Sequence, residues 1–280
     1  MKKIESLAEM SAVAAEWRAA GKSVALVPTM GALHAGQEAL IRAAAAKADE
    51  VVVSIFVNPL QFGSNEMLAN YPQSLAADLE LCAECGVRMV FAPTLEVMFP
   101  RGHASFVSEE TTSKPLCGPS RPGHFRGVTT VMAKLFNVIR PQFAFFGQKA
   151  AQRAAVVRRM ADELAFGVEI VVVPTAREAD GLAAGVRNRD FTASARQEAL
   201  ALYKALTRAK EMADSGVRST DRLIAEATHI LGEHRRVRVI YVAIVDRLTM
   251  ETMREVVPGK SMLAIAAWVD EVRLIDNVVL

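Results

Sequence analysis

Residues 27–37 read Val27-Pro28-Thr29-Met30-Gly31-Ala32-Leu33-His34-Ala35-Gly36-Gln37, an apolar run that passes through a glycine-containing turn into a helix-period segment. A helix that starts just beyond the carboxyl end of a strand offers free backbone N–H groups to a phosphate. A histidine in such a turn can donate a further hydrogen bond to a phosphate oxygen. The same pattern also serves as a tight connection with no ligand, so these residues alone leave both readings open. A second pattern with chemical potential is Cys82 and Cys85, spaced as C-x-x-C. Leu75, Leu79 and Cys82 recur at helical spacing, a glycine stop follows at Gly86, and no second Cys or His pair lies at ligand distance. The cysteines are therefore read as structural.

The elements that must position these residues follow from hydrophobic period. Apolar runs at Ser23–Val27, Val51–Val57, Arg88–Phe91, Gln142–Phe146 and Val168–Val173 alternate with helix-period segments at His34–Ala48, Ser74–Cys85, Gly127–Ile139 and Ala150–Phe166. Unbroken Val/Ile runs alternating with helices predict parallel βα units with the strands covered on both faces. After Pro174 the chain turns polar and glycine-containing. Two long helical segments then run from Thr192 to Ser215 and from Ser219 to His234, followed by strand-like runs at Arg236–Val245, Ser261–Val269 and Val272–Ile275. The predicted fold class is thus α/β, a doubly wound parallel sheet over residues 1–176, with a smaller α+β unit over 177–280 that carries an antiparallel sheet.

With 280 residues, 51% of them hydrophobic and 23% charged, the chain can bury a sizeable core and lacks the polar bias of a disordered segment. Lys and Arg number 33 against 31 Asp and Glu, with no block of like charge, which points away from nucleic acid and anionic membrane surfaces. No apolar run reaches the roughly 18 to 20 residues needed to span a bilayer, and the start has no signal-like apolar region. A cytoplasmic protein acting on small molecules is expected.

The turn at 27–37 resembles the H-x-G-H signature of nucleotidylyltransferases, in the P-T-M-G-x-L-H-x-G-H form of the pantothenate synthetase family. Further motifs match in order. They are Ser54-Ile55-Phe56-Val57-Asn58-Pro59-Leu60-Gln61-Phe62, then Arg121-Pro122-Gly123-His124-Phe125-Arg126-Gly127-Val128 with Lys134-Leu135-Phe136-Asn137, then Phe146-Gly147-Gln148-Lys149. Pro174-Thr175-Ala176-Arg177-Glu178-Ala179-Asp180-Gly181-Leu182-Ala183 and Arg273-Leu274-Ile275-Asp276-Asn277 complete a resemblance over almost the whole chain.

The resemblance implies a nucleotidylyltransferase-like fold, a homodimer, ATP with Mg²⁺, and a two-step ligase reaction: pantoyl adenylate and pyrophosphate form first, then β-alanine expels AMP. It implies that Lys149 and Arg187 offset charge on the phosphates, with His34 beside them. Met30 and Gly147 bring backbone groups to the nucleotide, with Gly31 and Ala176 also in the nucleotide site. Gln61 matches a pantoate-binding glutamine. Asp78 falls among acidic residues near the metal and phosphates, a position equally compatible with a helix-surface carboxylate.

Several matched positions differ. Gln37 stands for the second histidine of the signature and can donate a hydrogen bond but not carry a proton near neutral pH. Ala150 replaces a carboxylate expected at the ribose. Arg153 replaces the second pantoate-binding glutamine, bringing a fixed charge into the acid pocket. Gly185 and Val186 replace two serines before Arg187. Three readings follow: a pantothenate-forming ligase with weakened contacts, a relative that activates a different acid or uses a different amine, and a nucleotide-binding scaffold without catalysis.

Overall fold

The computed structural model of the chain describes residues 1–62 and 71–280. The first unit alternates strand and helix: β1 (Lys2–Ile4), α1 (Leu7–Ala19), β2 (Val24–Thr29), α2 (Ala35–Ala45), β3 (Glu50–Ile55), α3 (Leu75–Glu84), β4 (Met89–Phe91) and the single turns α4 (Leu95–Met98) and α5 (Cys117–Ser120). It continues with α6 (His124–Ile139), β5 (Phe143–Gly147), α7 (Ala151–Glu163) and β6 (Glu169–Val173). The apolar runs predict this alternation from β2 onward, while β1, α1, α4 and α5 were not predicted. All six strands are parallel, in the order β1-β4-β3-β2-β5-β6.

The period of two along each strand explains why both faces are apolar. Val24, Leu26, Val52, Ala144 and Phe146 pack with residues of α1, α6 and α7 on one face. Ala25, Val27, Val51, Val53 and Phe145 pack with Leu40, Ile41 and Ala44 of α2 and Cys82 of α3 on the other. With helices on both sides, the central strands leave neither face to water, so their runs carry no polar alternation.

The strand order reverses between β2 and β5. One half of the sheet winds outward through β3 and the other through β6, which leaves a crevice beyond the carboxyl ends of β2 and β5, where ligands bind in open α/β sheets.

The remaining elements are α8 (Ala193–Asp214), α9 (Thr220–Gly232), β7 (Val237–Asp246), β8 (Ser261–Val269) and β9 (Val272–Val279), the strands forming an antiparallel sheet in sequence order. Leu263, Ile265, Ala267 and Val269 of β8 face α8 and α9. Met262 and Ala264, one residue out of phase, pack on Ala151 and Ala155 of α7. The small sheet is thereby fastened to the start of α7, beside the crevice. Among the described residues, no helix is long and apolar enough to cross a membrane.

Candidate active site

A cavity of about 610 Å³ lies at the switch point, within the size range of small-molecule sites. The first unit contributes Met30, His34, Gln37, Gln61, Gly147, Lys149, Arg153 and Ala176, the 3-10 turn Val186–Asp190 contributes Arg187, and the small sheet adds residues including Trp268 and Arg273. Nine of the eleven residues predicted from the sequence therefore meet in one cavity; Gly31 and Asp78 do not line it.

Those two shape the turn instead. Gly31 has φ 81° and Ala32 φ 52°, so two successive residues are left-handed and their N–H groups converge. The Asp78 carboxylate fills that concavity, accepting from Ala32 N at 2.9 Å and from Leu33 N at 2.7 Å. Glycine is required at 31, because a Cβ there would lie 3.0 Å from Asp78 Oδ2 in a backbone region that L side chains avoid. Asp78 is 3% exposed, so it is neither a helix-surface residue nor an open metal ligand: both oxygens are committed to backbone.

His34 is the N-cap of α2. Gly36 N–H donates to its Nδ1 at 3.1 Å, which leaves the ring proton of the neutral imidazole on Nε2. Burial, helped by the Lys149 ammonium and opposed by Glu178, holds the His34 pKa down to about 4. The ring is therefore a neutral Nε2–H donor near pH 7. Gln37 closes the cap, its Oε1 accepting from His34 N at 3.2 Å. What reads in sequence only as a lost histidine is, in the fold, a capping-box partner.

Lys149 follows β5 in a 3-10 turn, Gln148–Ala150. Asn277 of β9 donates from Nδ2 to the carbonyls of Gln148 at 2.9 Å and Lys149 at 3.2 Å, and Gln148 Nε2 donates back to Asn277 Oδ1 at 2.8 Å. The Lys149 ammonium donates to the carbonyls of Ala184 at 2.8 Å and Ala183 at 3.3 Å. It forms no ion pair among the described residues, and burial pulls its pKa below the ordinary lysine value. A Cβ on Gly185 would come within 2.7 Å of Nζ, so the glycine where a serine was expected makes room for the ammonium. The 174–187 segment that receives it is anchored by Arg177, whose guanidinium pairs with Asp276 of β9 at 2.7 and 3.1 Å and donates to Gly181 O at 3.0 Å.

The other end of the cavity holds a group that sequence reading did not single out as site residues: Tyr71, Arg121 and His124. His124 Nδ1 donates to Gln61 O at 2.8 Å, and its Nε2 accepts from Arg121 Nη1 at 3.2 Å. Burial first, then Arg121 and Arg153, lower its pKa to about 3, so it is neutral. Arg121 Nη2 also donates to Gln61 O at 3.1 Å. The Gln61 backbone is thereby fixed, while its side-chain Oε1 is buried with no hydrogen-bond partner among the described residues. Only the matched motif containing Arg121 and His124 hinted at this group, because 60 or more residues separate them from Gln61 in sequence.

Both Cys82 and Cys85 are free thiols; Cys82 is wholly buried and burial pushes its pKa up to about 12. Among the described residues there is no group of three or more His, Cys, Asp or Glu placed to hold a metal ion.

A ligand site at the switch point of this parallel sheet, entered by a capped strand-to-helix turn, places the protein among the nucleotidylyltransferase-like α/β folds. The sequence model of the pantoate-beta-alanine ligase family matches residues 2–279, and the chain belongs to that family. The pantothenate synthetase of Moorella thermoacetica is 46% identical over 280 residues, 100% of this chain and 99% of that protein. That of Thermotoga neapolitana is 46% identical with 100% of both chains covered. The crystal structure of pantothenate synthetase from Thermus thermophilus superposes with a TM-score of 0.93 at 40% identity, covering 99% of each chain. The pantoate-beta-alanine ligase of Francisella tularensis, in a structure described as complexed with beta-gamma ATP and beta-alanine, gives a TM-score of 0.81 at 26% identity, covering 100% of this chain and 97% of that one.

Proposed function

We propose that the chain joins pantoate to β-alanine at the expense of ATP, and that the cavity residues divide this work between its two ends. The observation that carries the reading is the placement, in one cavity, of a neutral histidine donor with an ammonium held by carbonyls and, at the far end, a buried glutamine oxygen with no donor among the described residues. In the first step a pantoate carboxylate oxygen attacks the α-phosphorus and the bond to pyrophosphate breaks. In the second the amine nitrogen of β-alanine attacks the acyl carbon, the acyl–oxygen bond breaks, AMP leaves and the nitrogen loses its proton.

His34 Nε2–H, the Lys149 ammonium and Arg187 face the phosphates, with Gln37 Nε2 as an added donor and the backbone of Met30, Gly31, Gly147 and Ala176 beside the nucleotide. Cations and donors already in place when charge shifts to the leaving pyrophosphate lower the barrier without reorganisation. Gln61 Oε1 accepts from a pantoate hydroxyl. Mg²⁺ enters with ATP as part of that substrate: magnesium is commonly held by phosphates, waters and one or two carboxylates, and Asp78 is engaged in the turn. The protein works in the cytoplasm as a homodimer, with the division between its two domains at 176/177.

The test is to supply Mg-ATP, pantoate and β-alanine and follow pantothenate, AMP and pyrophosphate. Equimolar formation of all three is expected, and Lys149→Met should slow it on the order of 100-fold or more. Nucleotide bound without any of the three products would leave the scaffold reading; no nucleotide bound at millimolar ATP would remove the site assignment.

A further inference from the structure

Arg153 lies in the first turn of α7, four residues after Lys149, and its guanidinium faces the cavity. Among the described residues it forms no ion pair and no hydrogen bond, and its Nε is buried without a partner. The groups that bear on it electrostatically are Arg121, which opposes its charge, and the neutral Tyr71 and Cys117. His124 supplies no compensation, since it is neutral and both ring nitrogens are engaged. Removing a guanidinium from water costs several kcal/mol unless a counter-charge is provided. The described residues provide none here, and an anionic ligand can.

The cavity thus has a histidine–ammonium end and an Arg153 end, with Tyr71 between them feeling both Arg153 and Arg187. His34 and Lys149 act on each other and on Glu178, whereas Arg153 sits with Arg121 and Tyr71. The carboxyl group to be activated belongs beside the first, where it meets the α-phosphate. Pantoate has one carboxylate and, at its far end, only a hydroxyl.

We infer that Arg153 makes the inner end of the acid pocket an anion subsite, so that the acid taken best carries a second anionic group, a carboxylate or a phosphate, remote from the carboxyl that is activated. This rests on the ligase reading above and deepens it by naming a specificity-determining residue. Arginine suits the task because its planar fork matches carboxylate and phosphate oxygens and stays charged when buried.

The experiment measures pyrophosphate release with Mg-ATP and three acids: pantoate, 2-hydroxyglutarate and 3-phosphoglycerate, in the wild type and in Arg153→Gln. A dianionic acid should exceed pantoate in kcat/KM by about tenfold or more in the wild type, and Arg153→Gln should lower the ratio of the two kcat/KM values on the order of 100-fold. Preference for 2-hydroxyglutarate identifies a carboxylate, and preference for 3-phosphoglycerate a phosphate. Pantoate preferred over both, with a ratio unmoved by Arg153→Gln, overturns the inference and leaves the ligase reading intact. Failure of every acid to give pyrophosphate overturns the ligase reading, and direct binding then decides the subsite. Succinate titrated into each protein, followed by calorimetry, should bind the wild type and not Arg153→Gln; equal binding overturns the subsite as well. Retained ATP affinity in Arg153→Gln verifies that the variant is folded.

Discussion

The Arg177–Asp276 pair ties the segment that holds the Lys149 ammonium to the last strand of the small sheet, so its loss should register in both stability and nucleotide binding. Asp276 is 4% exposed while Arg177 is 24% exposed, which makes the pair only partly buried. Asp276→Asn removes the charge and turns one acceptor into an amide donor facing a guanidinium. Breaking a buried pair from one side costs about 3–5 kcal/mol. Water reaching the freed Arg177 reduces this to roughly 2–3 kcal/mol. For a chain of this size that corresponds to a fall in Tm of about 3–5 °C. The Asp276 carboxylate also raises the Lys149 pKa, so its removal lowers that pKa further and weakens the charge offered to phosphate. Urea unfolding and ATP titration of Asp276→Asn, Arg177→Met and the double variant form a double-mutant cycle. The double variant should lose little more than either single variant. A loss under about 0.5 kcal/mol for Asp276→Asn, or full additivity, would refute the bracing role.

Asp78→Ala should strand two converging N–H groups and cost roughly 2–4 kcal/mol by chemical denaturation, with weakened ATP binding because the turn loses its filler. The two buried histidines make stability pH-dependent in a defined direction. Folded values of about 4 for His34 and about 3 for His124 lie below the unfolded value of 6.5, so the folded state binds fewer protons, and stability present above pH 6.5 falls as pH drops. Each contributes up to about 1.4 kcal/mol per pH unit. Unfolding free energies at pH 7, 6 and 5 measure the slope, which should roughly halve in His124→Gln; a flat profile contradicts it. Gln37→His should raise the adenylation rate by adding a chargeable donor, while loosening the α2 cap by a few tenths of a kcal/mol up to about 1. An unchanged rate in stopped-flow adenylation would show that the capping role, not proton donation, decides this position.

The architecture of the first unit was legible because fully buried parallel strands write themselves as apolar runs. What escaped notice was short or dependent on distant partners. β1 is only three residues and gains its place by pairing with β4, Lys2 lying opposite Met89, and no local period announces it. Helix α6 begins at His124, three residues before the predicted start, because Gly123 at φ 78° turns the chain into the helix and His124 is buried by Gln61 rather than by its own period. The site was legible where a motif is contiguous, as at His34 and Gln37, and obscure where the fold assembles it. Asp78 looked like a surface or metal-side carboxylate because nothing local shows the two amides, some 45 residues earlier, that it accepts from.

The substituted positions carry a consequence that residue-by-residue matching hides. Gln37, Gly185 and Arg153 each read in sequence as the loss of an expected group, yet each has a definite setting in the fold. Gln37 caps the helix, and Gly185 admits the Lys149 ammonium to the Ala183 and Ala184 carbonyls. Arg153 differs from the other two in finding no partner among the described residues. A site decaying without function has no reason to keep such a guanidinium buried, because several kcal/mol would be recovered by almost any neutral replacement. Its place in the same cavity as the Gln61 oxygen is what an anion subsite in the acid pocket would explain, the unpaired charge and the unpaired acceptor lying where the acid binds.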